Sequence, residues 1–293
     1  MAGQPEPGAD GLTLQRSDWN DLSQAVRDLV QAHTGPVRAA RTLSAGMNSQ
    51  LAAVLETIDG PLFIKGVRTD HPGVVRQHRE AMINPHLQPL APQLRWKAEG
   101  ARWNLLAFTY IAGARHADYS PGSADLPAVI QAINQLQQIR CPDLPVKRAE
   151  QRWAAYVDDD TDIGPLAGTT LLHTDFNPLN VLMTSNGTWI IDWAWPTCGA
   201  AFIDPACFLL RLMLGGHTAV QAEAWAEQCT SWGKTPHEAI NVFANACARL
   251  YDEIAREDPQ PWKKRFAAAA QDWVEYRSGK HNVPPGDSHS VTG

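Results

Sequence analysis

The sequence predicts an α+β protein of two lobes, an antiparallel β-sheet in the N-terminal part and a mainly helical C-terminal part. Three observations carry this. Up to about residue 112, short apolar runs alternate with turn signals, the pattern of paired strands. Beyond Gly113 the apolar residues recur at helical spacing. The chain has 293 residues, 44% hydrophobic and 19% charged, enough to bury two lobes or one large domain and ordinary for a globular protein.

In chain order, Met1–Leu12 reads as a flexible arm, and Ser17 as the N-cap of an amphipathic helix over Asp18–Ala32. Strands follow at Val37–Leu43 and Leu51–Ile58, joined by the small-residue turn Leu43-Ser44-Ala45-Gly46-Met47-Asn48-Ser49. Asp59-Gly60 is a hairpin signal leading into the strand Leu62-Phe63-Ile64-Lys65, which ends on Lys65. A helix is expected from about His71 to Pro89, then strands at Leu94–Lys97 and Leu105–Ile111, completing a five-stranded antiparallel sheet. Further helices are expected at Leu126–Ile139, Lys147–Val157, Pro205–Leu214, Ala219–Trp232, Pro236–Arg256 and Trp262–Arg277. The tail from Ser278 to Gly293, rich in Gly, Pro, Ser and His, reads as disordered. The lobes are therefore drawn at 1–112 and 113–277.

A formal net charge of -6 and a pI near 5.9 argue against nucleic acid or an anionic membrane as partner and are compatible with a cationic small molecule. Five widely spaced cysteines offer neither a paired zinc spacing nor a disulfide framework. The N-terminus lacks the basic and apolar regions of a signal peptide, and no apolar run reaches membrane-spanning length, so a cytoplasmic protein is expected. Oligomeric state is not legible.

The densest chemistry lies in Leu171-Leu172-His173-Thr174-Asp175-Phe176-Asn177-Pro178-Leu179-Asn180-Val181-Leu182 and in Ile190-Ile191-Asp192. The Asn186-Gly187 pair between them predicts a hairpin in which Ser185 faces Thr188 and Val181 faces Asp192, setting Asn180 beside Asp192. A carboxylate and an amide oxygen then converge. Such hard donors suit Mg²⁺, which takes one or two protein carboxylates plus substrate phosphates.

This order of residues resembles the catalytic segment of protein kinases and, more closely, the aminoglycoside phosphotransferase and choline kinase-like family of small-molecule kinases. His173, Asp175, Asn177, Pro178, Asn180, Ile191, Asp192 and Trp193 match the family pattern, while Thr174 and Leu179 stand where glycines are usual. Asp204-Pro205 fits a downstream segment whose Asp is structural in the family. The resemblance implies a bilobal protein-kinase-like fold and an ATP-dependent O-phosphotransferase. The acceptor would be a hydroxylated small molecule such as an antibiotic, an amino alcohol or a sugar. A non-catalytic nucleotide-binding protein of the same fold is the alternative.

It further implies that Asp175 accepts the acceptor's hydroxyl proton, and that Asn180 and Asp192 hold Mg²⁺ on the phosphates of ATP. Ser44, Gly46 and Asn48 would lie in the phosphate loop. Phe108, Tyr110 and Ile111 would form the adenine crossover, although Phe108 and Tyr110 read equally as core strand residues. Lys65 would reach the α- and β-phosphates, with Glu80 as its partner, or else be a snorkelling strand residue. Glu80 could instead pair with Arg76 or Arg79 along its helix. His173 is expected to brace the backbone near Asp192. The acidic run at Asp158, Asp159, Asp160 and Asp162 could hold a cationic acceptor or be a solvated loop. Trp193 and Trp195, with Trp225, Trp232, Trp262 and Trp273, could form an aromatic wall for an amphipathic or cationic acceptor, although most of the eleven Trp residues read as core.

Overall fold

The computed structural model describes residues 16–43, 49–158 and 162–281. Near the N-terminus, Asp18 rather than Ser17 caps a short turn at Trp19–Asp21, accepting a hydrogen bond from Asn20 N at 2.8 Å. Helix α1 starts only at Gln24 and runs to Thr34. Strands β1 (Ala39–Thr42), β2 (Leu51–Thr57) and β3 (Gly60–Arg68) follow, then α2 (Val74–Ile83), β4 (Leu94–Gly100) and β5 (Trp103–Thr109). The expected five-stranded antiparallel sheet forms, in the order β1-β2-β3-β5-β4. Helix α1 covers one face with Val26 and Val30, packed on Leu51, Leu55, Ile64 and Leu105. Each such fully buried side chain contributes about 1.5–3 kcal/mol.

Two hairpin details depart from expectation. β3 continues past Lys65 to Arg68, so Lys65 sits mid-strand, paired with Ala52 on one side and Leu106 on the other. The β2–β3 loop is Ile58-Asp59, with Gly60 (φ 102°) opening β3.

The second part contains β6 (Arg115–His116), α3 (Leu126–Leu136), β7 (Lys147–Arg148), α4 (Ala149–Arg152), β8 (Thr170–Leu172), β9 (Val181–Thr184), β10 (Gly187–Ile190) and β11 (Thr197–Gly199). Helices α5 (Ile203–Leu214), α6 (Ala219–Ala226), α7 (His237–Glu257) and α8 (Pro261–His281) complete it. Two small sheets, β10-β9-β6 and β7-β11-β8, tie the 170–199 segments together. The large core here includes Phe176, Trp193, Phe208, Phe243 and Trp273, all fully buried.

The helix expected over Lys147–Val157 is broken into β7, the single turn α4 and a 3-10 turn at Ala154–Tyr156, because Lys147 and Arg148 are recruited as a strand beside β11. α6 stops at Ala226, short of Trp232. α8 extends to His281, past the predicted end at Arg277.

The β9–β10 register is also shifted from the prediction. Val181 faces Ile190 and Thr184 faces Gly187, leaving Ser185 and Asn186 as the loop. Neither Asn186 nor Gly187 has the positive φ that a turn centred on Asn-Gly requires. The Thr184 hydroxyl instead accepts the Asn186 N–H at 3.0 Å and sets the turn one residue earlier. A two-residue shift leaves every side chain on its expected face. Among the described residues no helix is long and apolar enough to cross a membrane.

Candidate active site

The site is assembled where β3 and α2 meet the segments flanking the β9–β10 hairpin. Lys65, buried in the middle of β3, makes ion pairs to Glu80 Oε2 at 2.5 Å and to Asp192 Oδ1 at 3.1 Å. The structure thus brings Lys65 and Glu80 together and leaves Arg76 and Arg79 to other partners, Trp195 among them. Desolvation opposes the Lys65 charge, and Asp192 and Glu80 outweigh it, raising its pKa. For Glu80 the balance is reversed: burial pushes its carboxyl up against the pull of Lys65.

On the other side, Asp175 and Asn180 stand at the two ends of a short loop. Asn180 Nδ2 donates to the Asp175 carbonyl and to Asp175 Oδ2, both at 3.1 Å. That commits the amide nitrogen inward and leaves Asn180 Oδ1 as the atom able to meet a cation. Ile191 N donates to Asn180 O at 2.9 Å, so Asn180 and Asp192 are neighbours across the hairpin base despite the shifted register.

Two residues of this segment hold left-handed backbone without being glycine, Thr174 (φ 66°) and Asp192 (φ 63°). Such conformations cost of order 1–3 kcal/mol and persist only where surroundings enforce them. For Thr174 the enforcement is visible: its N–H and that of His173 donate to the two carboxylate oxygens of buried Asp204 at 2.8 and 2.9 Å. Burial nevertheless pushes the Asp204 carboxyl up to about 7. The family's usual glycine at this position is explained by the same φ, which Thr174 tolerates by additional bonds. Its hydroxyl accepts from Arg152 Nη1 at 2.6 Å and donates to Trp195 O at 3.2 Å.

His173 is fully buried and acts as a brace. Nδ1 accepts the Asp175 N–H at 3.2 Å, which makes Nε2 the protonated nitrogen, donating to Ile191 O at 3.0 Å. Burial lowers its pKa, in keeping with this neutral tautomer.

Of the remaining predicted site residues, Phe108 is buried beside Ala81 and Leu106, with Lys65 Nζ 6.0 Å from its ring. Tyr110 and Ile111 are half-buried just past the end of β5. Ser44, Gly46 and Asn48 lie outside the described residues, as do Asp159 and Asp160. Asp158 is exposed and paired with Arg249 at 2.6 Å, and Asp162 accepts the N–H of Gly164 at 2.8 Å.

Sequence reasoning missed Arg211 on α5, whose Nη2 lies 2.6 Å from Asp175 Oδ1 while its guanidinium stacks 4.7 Å from the Phe266 ring. It also missed Arg152, the partner of Thr174. Both arrive from elements with no local spacing relation to the catalytic loop. Among the described residues no cluster of three or more His, Cys, Asp or Glu could hold a metal. The donor set of Asn180 and Asp192 fits Mg²⁺ completed by phosphate oxygens, and not an all-protein cage.

Residues 123–239 match the phosphotransferase enzyme family. No curated protein matches the sequence. Among solved structures, choline kinase LicA from Streptococcus pneumoniae is similar with a TM-score of 0.59 and 14% identity, covering 87% of this chain and 98% of that one. A thermostable mutant of aminoglycoside phosphotransferase APH(4)-Ia, in ternary complex with ADP and hygromycin B, gives 0.53 and 14%, over 84% of this chain and 98% of that one. Spectinomycin phosphotransferase APH(9)-Ia, in complex with ADP and spectinomycin, gives 0.52 and 12%, over 89% and 99%. The chain has the bilobal protein-kinase-like fold of these structures, and the resemblance of its catalytic segment to the aminoglycoside phosphotransferase and choline kinase-like family holds over residues 123–239.

Proposed function

We propose that this chain is a small-molecule kinase that transfers the γ-phosphate of ATP to a hydroxyl of its acceptor. The observation that carries the reading is the two groups Glu80–Lys65–Asp192 and Asn180–Asp175, brought together through the Ile191 N–H bonded to Asn180 O. The structures it resembles include complexes with ADP and with hydroxylated antibiotics. In this reading residues 1–112 bind the nucleotide, with Ser44, Gly46 and Asn48 at its phosphates and Phe108, Tyr110 and Ile111 at its base. Residues 113–277 hold the catalytic loop and the acceptor.

Lys65, held by Glu80, reaches the α- and β-phosphates as a point charge. Asn180 Oδ1 and Asp192 would hold Mg²⁺. Bound there, it would neutralise charge on the phosphates. Asp175 orients the acceptor hydroxyl in line with the γ-phosphorus and takes its proton late in a loose transition state, so positioning is its larger contribution. Arg211 and Asn180 grip one Asp175 oxygen each, which fixes its rotamer. A guanidinium beside the base favours an acceptor that brings no positive charge to the reacting hydroxyl.

The decisive experiment is magnesium-dependent ATP turnover against a panel of amino alcohols, sugars, hydroxy acids and aminoglycosides. Asp175→Asn should lower turnover with the responding acceptor by about a thousandfold while nucleotide affinity stays nearly unchanged, because no phosphate contact is lost. Turnover close to wild type in that variant would remove the assignment.

A further inference from the structure

Around Asp175 there is hydrogen-bonding capacity that the protein itself leaves unspent. Arg211 Nη2 holds Asp175 Oδ1 at 2.6 Å, and among the described residues this is the one hydrogen bond its guanidinium makes. A guanidinium has five N–H donors, so those on Nε and Nη1 are still to be used. The Phe266 ring, 4.7 Å away, supports the guanidinium without occupying them, and is itself stacked on Tyr251 at 3.8 Å. The side chains are 19% exposed for Arg211 and 33% for Asp175, so a solute reaches the pair without any unfolding.

Tyr119 adds a second unspent donor. It is 3% exposed, and its buried hydroxyl has no hydrogen-bond partner. The ring packs edge-on against Phe208 at 5.1 Å, and the carbonyl oxygen lies so close to Gly215 that a Cβ there would sit 2.6 Å from it. Phe208 and Gly215 are about one helical turn before and after Arg211, so Tyr119 runs along the face of α5 that bears Arg211. Burial raises the Tyr119 phenol pKa, while Arg211 lowers it and Asp175 raises it, so the hydroxyl stays protonated within reach of both charges. A buried hydroxyl without a partner is destabilising until a ligand meets it.

We propose that Arg211 and Tyr119 recognise a carboxylate on the acceptor, so that the substrate is a hydroxy acid; this rests on the kinase reading above and names the acceptor class within it. One guanidinium and one neutral phenol supply a single positive charge, which matches a carboxylate better than a phosphate dianion. A cationic acceptor would set a second cation against Arg211, and a neutral one would leave both donors unpaired by charge. With Nη2 kept on Asp175, the remaining N–H groups take the carboxylate, and a hydroxyl on a neighbouring carbon is delivered to Asp175. In the transfer that hydroxyl oxygen bonds to the γ-phosphorus, the bond from this phosphorus to the bridging oxygen breaks with its electron pair going to ADP, and the proton passes to Asp175.

The test is calorimetric titration of the full chain, with and without ADP, using probes on one three-carbon skeleton: glycerate, glycerol, aminopropanediol and glycerol phosphate. Glycerate should bind the wild type about tenfold more tightly than glycerol or aminopropanediol, the effect of one charge-assisted contact. Arg211→Gln should erase that preference while leaving the weak glycerol affinity as it was, and Arg211→Lys should restore part of it. Tyr119→Phe should weaken glycerate about fivefold with no fall in the thermal unfolding midpoint, because the hydroxyl removed has no partner in the protein. That variant keeps the test sound if Arg211→Gln does not fold. The proposal is overturned if glycerate does not bind in the millimolar range, if glycerol or aminopropanediol binds as tightly, if Arg211→Gln weakens every probe equally, or if glycerol phosphate binds more tightly than glycerate. Turnover of a neutral or cationic acceptor by a chain that ignores glycerate would overturn the hydroxy-acid assignment and leave the kinase reading standing. Arg211-dependent glycerate binding with no turnover of any acceptor would do the reverse, supporting the carboxylate site and removing the kinase.

Discussion

His173 shows how much of the site rests on a single uncharged side chain. Its ring bridges the Asp175 N–H and the Ile191 carbonyl, so it ties Asp175 to the residue before Asp192, and it can do both only as the neutral tautomer. Because burial lowers its pKa in the folded state, the unfolded chain binds the proton more readily. Stability from this group is therefore complete above the ordinary imidazole pKa and falls as the pH drops below it, by up to roughly 1.4 kcal/mol per pH unit. In His173→Gln this acid-side slope should shrink. Urea unfolding at a series of pH values below neutrality measures it, and an unchanged slope would show that His173 is not the titrating group. Thr174 next to it was legible as a departure from the family's glycine. What the departure requires, the Asp204 carboxylate, the Arg152 fork and a left-handed backbone, was not, since these partners lie far along the chain.

At the scale of elements, the helical part is tied by a buried ion pair between α6 and α8. Arg277 donates to Glu223 at 2.7 Å, to Asn241 Oδ1 at 2.5 Å and to His237 O at 3.2 Å, joining α8 to both α6 and α7. Both charged side chains are almost wholly buried. Replacing such a pair by apolar groups can be neutral, but removing one partner strands the other charge in a medium that cannot solvate it. Glu223→Ala should therefore cost about 3–5 kcal/mol, read as a lower denaturation midpoint, with the sheet of the N-terminal part keeping its circular dichroism longer than the helices. A midpoint within error of wild type would mean that water reaches Arg277. Helix periodicity located α5 and α7 because each has an apolar stripe long enough to register. It failed over Lys147–Val157, where pairing with β11 outweighs local helix preference and turns Lys147 and Arg148 into a strand.

For the molecule as a whole, the Lys65–Asp192 contact spans 127 residues of sequence and is a direct polar link from β3 to the segment after β10. A nucleotide that engages both sides should stabilise the whole fold by mass action, about 2.7 kcal/mol at a hundredfold excess over its dissociation constant. Thermal unfolding with ATP should rise further when magnesium is added, and Asp192→Ala should abolish the magnesium-dependent part while leaving a smaller ATP effect. A variant that keeps the full increment would place the cation elsewhere.

The sequence by itself determined the class of fold and which polar residues lie together in the candidate site. Asp175, Asn180 and Asp192 are close in the chain, so their convergence follows from short loops and one hairpin, and survives even a two-residue error in register because side chains keep their faces. Lys65 and Glu80 were legible for a related reason: a strand and the helix after it have few ways to pack. Only the tertiary structure decided which partners those groups take. Arg211 on Asp175, Arg152 on Thr174, and Arg76 and Arg79 on Trp195 rather than on Glu80 are contacts between elements brought together by burial of the two apolar cores. Hydrophobic burial is non-directional, so it leaves no spacing in the sequence from which the polar contacts riding on it can be read.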